Sequence, residues 1–234
     1  MSQEEFVLEL NELGIQLTKK QEDQLKQYYE MLIEYNKHMN LTGITEKSDV
    51  YLKHFYDSLT LEKVVHLEKM NTLCDIGSGA GFPGLVLKIV FPNLKVTLVD
   101  SLNKRINFLN EVIEKLNLED IVTVHSRIED FGKNKSYREK FDYVTARAVA
   151  NLAVLSEYLI PIAKIGGKCV CMKGSNVEEE ITSGKNAINV LGGKIEKVDE
   201  FVLPDSDISR NVIVLSKVKN TPVRFLYIVS LTFS

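Results

Sequence analysis

The sequence has no tryptophan, only three cysteines and five prolines, and no long apolar run. Because no stretch of about 18 apolar residues occurs, no transmembrane helix is expected. The first five residues, Met-Ser-Gln-Glu-Glu, are acidic and lack an apolar region, which is not the pattern of a signal peptide. The cysteines fall in predicted buried strands and are odd in number, which favours reduced thiols in the cytoplasm: Cys74, Cys169 and Cys171. No neighbouring His or Cys completes a ligand set, so no metal is expected.

An excess of positive charge is missing as well. The formal net charge is −3, which does not indicate a broad nucleic-acid-binding face. Residues 1–34 hold eight acids and three lysines, so the other 200 residues sum to about +2. Small basic groups are scattered through that part, and any RNA contact is therefore expected to be focal. The candidates for such contacts are Arg105, Lys173 and Arg210.

A glycine-dense turn is the most informative segment that is present. The apolar run Leu73–Ile76 carries Asp75 and leads into Gly77-Ser78-Gly79-Ala80-Gly81, and an apolar helical stretch follows. Glycine tolerates positive φ and lets bare backbone approach a small ligand. A second acid, Asp100, ends the next apolar run, where it can accept hydrogen bonds from ribose hydroxyls at the carboxyl edge of a parallel sheet. The segment predicts a site for a nucleoside-containing cofactor.

Two kinds of cofactor compete for this turn. Residues 79–84 match G-x-G-x-x-G, the dinucleotide fingerprint, and a nicotinamide or flavin nucleotide is one alternative. Asp75 would be repelled by a pyrophosphate, however, whereas it suits the ammonium of S-adenosylmethionine, which carries no phosphate. The longer pattern Asp-x-Gly-x-Gly-x-Gly resembles motif I of class I methyltransferases. We therefore favour S-adenosylmethionine over a dinucleotide and over a plain turn without ligand. The loop residues assigned to its methionine part are Gly77, Ser78, Gly79 and Gly81.

The order of elements predicts an α/β fold. The N-terminal part is helical: helices are expected at 4–13, from a capping box at 18–21 onward, and from about 48 to 65. The second of these helices has one apolar face, expected to pack on the flank of the main domain, made of Leu25, Tyr28, Leu32, Tyr35 and Met39. From residue 71 strands alternate with helices, which indicates a parallel sheet covered on both faces.

The expected strands are 72–76, 95–99, 121–125, 142–147 and 167–172, and the expected helices between them are 83–91, 103–117, 151–163 and 176–191. Two last strands, with no helix between them, indicate a closing antiparallel hairpin within 194–217. This is the topology of a class I S-adenosylmethionine-dependent methyltransferase, Rossmann-like with a mostly parallel seven-stranded sheet. We expect a helical extension at 1–66 that packs on a methyltransferase domain at 67–222.

Six segments carry a resemblance to one family. They are Asn40-Leu41-Thr42, His54-Phe55-Tyr56-Asp57-Ser58-Leu59, the turn at 75–84, Val99-Asp100-Ser101-Leu102-Asn103-Lys104-Arg105, Thr145-Ala146-Arg147-Ala148-Val149-Ala150, and Ser209-Arg210-Asn211. With them the chain resembles, from about residue 25 to residue 222, the bacterial glucose-inhibited division protein B (RsmG) family. These are small-subunit ribosomal RNA guanine-N7 methyltransferases.

The resemblance implies methyl transfer from S-adenosylmethionine to N7 of a guanine in small-subunit (16S) ribosomal RNA. It implies that Phe82 and the backbone of Ile128 and Glu129 line the adenine pocket, and that His54 lies near the mouth of the site, where we count it among the RNA contacts. Glu129 could equally be a first-turn helix acid, and His54 a packed residue. We expect a monomer that acts on the RNA or on the 30S particle, without membrane association.

Arg147 is the predicted substrate-orienting residue. It follows strand four at the carboxyl edge of the sheet, and the resemblance places it at the cofactor too. Its planar fork can bond guanine O6 without competing for the N7 lone pair. Guanine N7 has no proton to lose, so no general base is expected. The alternatives for Arg147 are a salt bridge to Asp142 or a plain surface arginine.

The tail at 223–234 departs from the family pattern. It is apolar where family members have a short basic tail, and we expect it to lie outside the fold. Three other functions stay open from the sequence alone. The first is a methyltransferase that acts on another RNA, a small molecule or a protein. The second is an oxidoreductase that uses the G-x-G-x-x-G turn. The third is a scaffold that binds a cofactor without turnover.

Overall fold

A seven-stranded sheet forms the centre of the computed structural model, which describes residues 1–69, 71–147, 149–174 and 177–222. The bounds of its strands are β1 Thr72–Ile76, β2 Lys95–Asp100, β3 Ile121–His125, β4 Phe141–Arg147, β5 Ala163–Lys173, β6 Gly193–Val202 and β7 Ser209–Lys217. The strands lie in the spatial order β3-β2-β1-β4-β5-β7-β6. The first five strands are parallel, and β7 runs antiparallel between β5 and β6. The parallel sheet and the closing hairpin are both confirmed.

Helices connect the parallel strands, as the alternation predicts. Their bounds are α5 Gly84–Val90, α6 Asn103–Lys115, α7 Ile128–Lys133, α8 Leu152–Leu159 and α9 Glu178–Val190. Two expectations were wrong in detail. A short helix, α7, lies between β3 and β4, where the list of expected helices has none and only the alternative interpretation of Glu129 as a first-turn acid points to one. The helix expected at 151–163 ends at Leu159, because the chain already enters β5 at Ala163.

The N-terminal helices pack on the flank of the sheet domain. Helix α1 spans Gln3–Glu12, and α2 spans Lys19–Met39 and begins with the predicted capping box at Thr18. The buried residues of α2 belong to the same hydrophobic cluster as those of α5 and α6. Polar contacts add to this packing: the Gln21 side chain donates to the carbonyls of Ile89 and Val90. The apolar face of α2 therefore lies against α5 and α6 of the sheet domain.

The single helix expected from about 48 to 65 is wrong. The chain instead forms α3 at Lys47–Val50, a π-helix at Tyr51–Tyr56, α4 at Asp57–Leu59 and a 3₁₀ turn at Thr60–Lys63. A second 3₁₀ turn follows at Leu67–Lys69. Five of the six π-helical residues are buried, so no single face of this segment is exposed and tertiary contacts decide how it winds. The π-helix brings His54 and the residues around it to the edge of the sheet where the site lies.

The second hydrophobic cluster lies on the other face of the sheet and contains all three cysteines. They are free and buried, as expected for structural thiols. Within the described ranges, no group of three or more His, Cys, Asp or Glu side chains is arranged to hold a metal ion. None of the described helices is both long enough and apolar enough to cross a membrane. The prediction for residues 223–234 falls outside the described residues.

Candidate active site

The glycine turn after β1 forms the floor of the site. Gly77 and Gly79 have φ values of 69° and 60°, in the left-handed region that glycine occupies without strain. The amides of Gly77 and Ser78 both donate to the Val99 carbonyl, at 2.8 and 3.0 Å. These bonds tie the turn to the end of β2 and hold its backbone against the cavity above it.

The far side of the turn is held by helix α2. The buried Tyr28 hydroxyl donates a hydrogen bond to the Ala80 carbonyl. Its ring lies 5.5 Å from the ring centroids of both Phe55 and Phe82. Gly81 has a φ of 104°, and a Cβ built on it would lie 2.7 Å from the Tyr28 hydroxyl oxygen. Gly81 therefore packs under the turn and does not line the cavity.

Asp75 lies beneath the turn and is fully buried. Its Oδ2 accepts a hydrogen bond from the Gly84 amide at 2.9 Å, and its Oδ1 has no partner in the described part of the chain. Burial raises the pKa of Asp75 to about 7, against the lowering effect of the Gly84 amide and of Arg147. A buried carboxylate oxygen without a partner is costly, so this atom is suited to meet a cation from a ligand.

Asp100 ends β2 and faces the cavity with a carboxylate that the backbone holds in place. Oδ2 accepts from the Gly79 amide at 2.9 Å and Oδ1 from the Leu102 amide at 2.9 Å. Arg105 lies 3.3 Å from Oδ2 through Nη1. The two backbone bonds fix the carboxylate orientation and leave acceptor capacity on both oxygens.

A cavity of about 420 Å³ opens over the turn at the carboxyl edge of the sheet. It is lined by Leu41, Thr42, His54, Gly77, Ser78, Gly79, Ala80, Phe82, Asp100, Ser101, Arg105, Ile128, Arg147 and Val149. Most of the residues predicted to bind the cofactor are brought together here. Asp75 and Gly81 lie below the lining, and Glu129 lies outside it in the first turn of α7.

Arg147 ends β4 and is held by the π-helical segment and the residue after it. Its Nη1 donates to the Lys53 carbonyl at 3.0 Å and to Asp57 Oδ2 at 3.2 Å, and its guanidinium lies 5.1 Å from the Phe82 ring centroid. Its side chain is 16% exposed, and burial lowers its pKa while Asp57 opposes that shift. The salt bridge to Asp142 considered from the sequence is wrong, because Asp142 pairs with Lys164 at the other end of β4.

His54 is a neutral partner of this arginine. Two groups lie near His54 Nδ1: Arg147 Nη2, which can only donate, at 3.0 Å, and the Lys53 carbonyl, which can only accept, at 3.2 Å. We assign Nδ1 as an acceptor, because the guanidinium is the closer group and Thr42 Oγ1 lies within reach of Nε2. The ring proton therefore lies on Nε2 and points to Thr42 Oγ1 at 2.8 Å. Burial, and then the charge of Arg147, lower the pKa of His54 to about 3. The ring stacks on Phe82 with centroids 4.3 Å apart. His54 is both packed and at the site, as the two sequence interpretations separately proposed.

A second cavity, of about 380 Å³, adjoins the first across the wall formed by His54 and Arg147. Its remaining lining residues are Ile44, Lys53, Asp57, Met172, Lys173, Gly174 and Arg210. Arg210 Nε donates to Asp57 Oδ1 at 2.9 Å, and Lys173 pairs with Glu180 at 2.7 Å. Of the candidate RNA contacts, Arg105 lines the first cavity, Lys173 and Arg210 line the second, and His54 lines both.

Sequence reasoning missed three residues that shape the site: Tyr28, Thr42 and Asp57. Asp57 is the one acid in residues 54–59, and Thr42 and Asp57 both stand in segments that carry the family resemblance. The resemblance pointed to these two segments, but it did not give Thr42 or Asp57 a role in the site. Tyr28 was assigned only to an apolar helix face.

Comparison with known proteins decides the family. The family model described as rRNA small subunit methyltransferase G matches residues 21–211. The protein named ribosomal RNA small subunit methyltransferase G from Lactobacillus johnsonii is 52% identical over 227 residues, which cover 96% of this chain and 95% of that protein. The protein of the same name from Bacillus subtilis is 51% identical over 225 residues, covering 96% and 94%. The chain belongs to the rRNA small subunit methyltransferase G family.

Solved structures agree with the fold. A SAM-dependent methyltransferase from Aquifex aeolicus superposes with a TM-score of 0.53 at 19% identity, over 75% of this chain and 96% of that one. A mutant of MtNAS in complex with S-adenosylmethionine gives a TM-score of 0.56 at 14% identity, over 83% and 76%. The class I methyltransferase fold is therefore confirmed. Membership of the rRNA small subunit methyltransferase G family makes the chain an S-adenosylmethionine-dependent methyltransferase and excludes the oxidoreductase alternative.

Proposed function

We propose that this chain transfers a methyl group from S-adenosylmethionine to N7 of a guanine in small-subunit (16S) ribosomal RNA. The observation that carries the proposal is the position of Arg147, which stands in the wall between the two cavities. The first cavity has the acids and glycines that suit the cofactor, and the second leads out to Arg210 and Lys173. Family membership supplies the substrate class.

The first cavity fits S-adenosylmethionine on the chemistry of its donors and acceptors. Asp100, fixed by two backbone amides, is suited to accept hydrogen bonds from the two ribose hydroxyls. The unpartnered Oδ1 of Asp75 is suited to the ammonium group, with the Gly77–Gly79 backbone beside the methionine part. Phe82 and Ile128 offer apolar surface for the adenine. We propose that the backbone of Glu129, next to Ile128, also contacts the adenine. When bound, S-adenosylmethionine supplies an electrophilic methyl group on a sulfonium.

The acceptor side favours a nucleophile that has no proton to lose. The His54 Nδ1 lone pair is already occupied by Arg147, so this histidine is not available as a general base. Arg147 keeps guanidinium N–H groups that can bond guanine O6 and orient the ring, and this leaves the N7 lone pair free. Orientation of two bound groups can supply effective molarities of about 10⁵ M or more, so positioning alone is a sufficient role for the protein.

Asp100→Ala should weaken S-adenosylhomocysteine binding by about 1.5–3 kcal/mol, because charge-assisted bonds to the ribose are lost. Isothermal titration calorimetry measures it. Asp130→Ala is the control, since that carboxylate lies on α7 and its side chain is 69% exposed. Equal affinities for the two variants would remove the ribose assignment of Asp100.

The rate of the chemical step should not change between about pH 6 and pH 9. His54 has a pKa of about 3, depressed from its ordinary 6.5, so it is neutral across this whole window and adds no titration. Single-turnover methylation with saturating cofactor measures the rate. A rise with an apparent pKa near 6.5 would contradict the base-free arrangement.

The same pH series should separate cofactor binding from chemistry. Asp75 has a pKa raised to about 7, so below pH 7 it is increasingly protonated and cannot pair with an ammonium. Cofactor affinity in the free protein should therefore weaken as the pH falls from 8 to 6, while the saturated rate stays level. Both measurements use one protein preparation and one set of buffers.

The direct test of the function uses tritiated S-adenosylmethionine and small subunits from a strain that lacks this modification. Label should enter 16S RNA, and reduction followed by aniline should cleave the labelled strand at one guanine, as N7-methylguanine requires. Label in another RNA, or in a small molecule only, would favour the alternative acceptor. We infer that the protein acts in the cytoplasm, as a monomer, on the 30S particle. Methylation of naked 16S RNA, measured beside that of the 30S particle, tests the form of the substrate. Sedimentation of the protein tests whether it is a monomer.

A further inference from the structure

A single carboxylate joins the two arginines that flank the second cavity. Asp57 is 2% exposed, and its two oxygens go to different partners: Oδ2 lies 3.2 Å from Arg147 Nη1 and Oδ1 lies 2.9 Å from Arg210 Nε. The two arginines come from β4 and β7, which do not neighbour each other in the sheet, since β5 lies between them. Asp57 is the point through which their guanidinium groups are held in one arrangement.

The charges of this cluster do not cancel. Two guanidiniums share the Asp57 carboxylate, and the neighbouring His54 is neutral, so these four side chains carry a net charge of about +1. Asp75 also acts on Arg147, but it lies beneath the glycine turn and does not line the second cavity. The other two cations of the lining have acids of their own: Lys53 lies 2.9 Å from Asp49, and Lys173 pairs with Glu180. The excess positive charge therefore lies at the arginines, where it faces the cavity and suits an electron-rich oxygen of an incoming nucleotide.

We propose that Asp57 is a positioning residue for methyl transfer. The inference rests on the proposed function and deepens it: the second cavity receives the target nucleotide, and Asp57 fixes how Arg147 and Arg210 meet it. Each arginine uses one guanidinium nitrogen to donate to Asp57, and its other N–H groups can bond the nucleotide. A carboxylate in the middle of an RNA-binding surface weakens electrostatic attraction, so its value here lies in geometry and not in affinity.

This distinction gives Asp57→Asn a signature that a loss of folding does not produce. The side chain keeps its shape but loses its charge, and its amide group can no longer accept from both arginines. The single-turnover rate with saturating cofactor should fall about 10- to 100-fold. Binding of 16S RNA should be as tight as in the wild type or tighter, because one negative charge has been removed. S-adenosylhomocysteine affinity should stay within about twofold, since Asp57 does not line the first cavity.

Asp142→Asn is the matched control. The Asp142 side chain is 17% exposed and pairs with one cation, Lys164. It accepts hydrogen bonds from the Thr72 amide and hydroxyl, at the end of β4 opposite to Arg147. The Asp142→Asn substitution should lower the melting temperature and leave the single-turnover rate and the RNA affinity unchanged. A double-mutant cycle of Asp57→Asn with Arg210→Gln should be strongly non-additive in the rate, because Asp57 acts through that arginine.

Three results would overturn the inference. They are a wild-type rate in Asp57→Asn, a loss of rate explained by weaker cofactor binding or by a melting temperature below the assay range, and additive effects with Arg210→Gln. An inactive wild-type protein on unmodified small subunits would instead defeat the proposed function itself, and the inference with it.

Discussion

Arg147→Ala should lower the single-turnover rate of methyl transfer about 10²- to 10³-fold, the size of effect seen when one preorganised donor is removed from an active site. The affinity for S-adenosylhomocysteine should change much less. The physical reason is that Arg147 is held by the Lys53 carbonyl, Asp57 and His54 in the wall between the two cavities, so it can orient an acceptor in the second cavity. Quenched-flow assays with labelled cofactor measure the rate, and calorimetry measures the affinity.

Arg147→Lys separates charge from shape. A lysine keeps the positive charge but cannot reach a carbonyl, a carboxylate and an imidazole nitrogen at once, so it should restore little of the rate. Arg138→Ala is a useful control, because Arg138 is a partly buried arginine that donates to the Thr221 carbonyl, away from the site. Recovery of most of the activity by lysine would show that Arg147 acts only as a point charge.

Gly81→Ala should destabilise the protein by about 3 kcal/mol or more, since it combines an unfavourable backbone conformation with overpacking in the core. The φ of Gly81 is 104°, and an added Cβ would lie 2.7 Å from the Tyr28 hydroxyl oxygen and 2.9 Å from Leu85 Cβ. The turn or helix α2 must move to make room, and cofactor affinity should fall together with stability. Urea denaturation measures the free energy of unfolding.

Gly79→Ala isolates the backbone contribution. Gly79 also has a positive φ, of 60°, but the nearest atom to an added Cβ is the Gly77 carbonyl oxygen at 3.9 Å. We expect a cost of about 1–2 kcal/mol, which reflects the left-handed conformation alone. Equal losses in the two variants would show that contact with Tyr28 contributes nothing, and that only the conformation of the turn requires glycine at residue 81.

The cofactor side of the site could be predicted from the sequence because it depends on short-range patterns. The carboxyl ends of neighbouring parallel strands meet at one edge, so Asp100 at the end of β2 and Arg147 at the end of β4 had to lie near the glycine turn. The depth of Asp75 could not be predicted in this way. Its burial depends on Gly84, whose amide binds it and whose lack of a side chain leaves the room.

The acceptor side was less predictable because it is built from distant parts of the chain. Asp57 and Arg147 are 90 residues apart, and Asp57 and Arg210 are 153 apart. Hydrophobic periodicity in a sequence does not predict contacts between residues so far apart. The π-helix added to the difficulty, since a segment buried on nearly every side has no 3.6-residue pattern to follow, and the sequence suggested an ordinary helix.

The long reach of Asp57 also sets the order in which this protein can become active. Its two partners lie on β4 and on β7, the last strand within the described residues, so the carboxylate cannot hold both arginines until synthesis has passed residue 210. The bonds that hold the glycine turn to Val99 and Asp100 need only the first 100 residues of the chain. The arrangement that we propose for the two arginines therefore depends on a much longer stretch of sequence than the turn does.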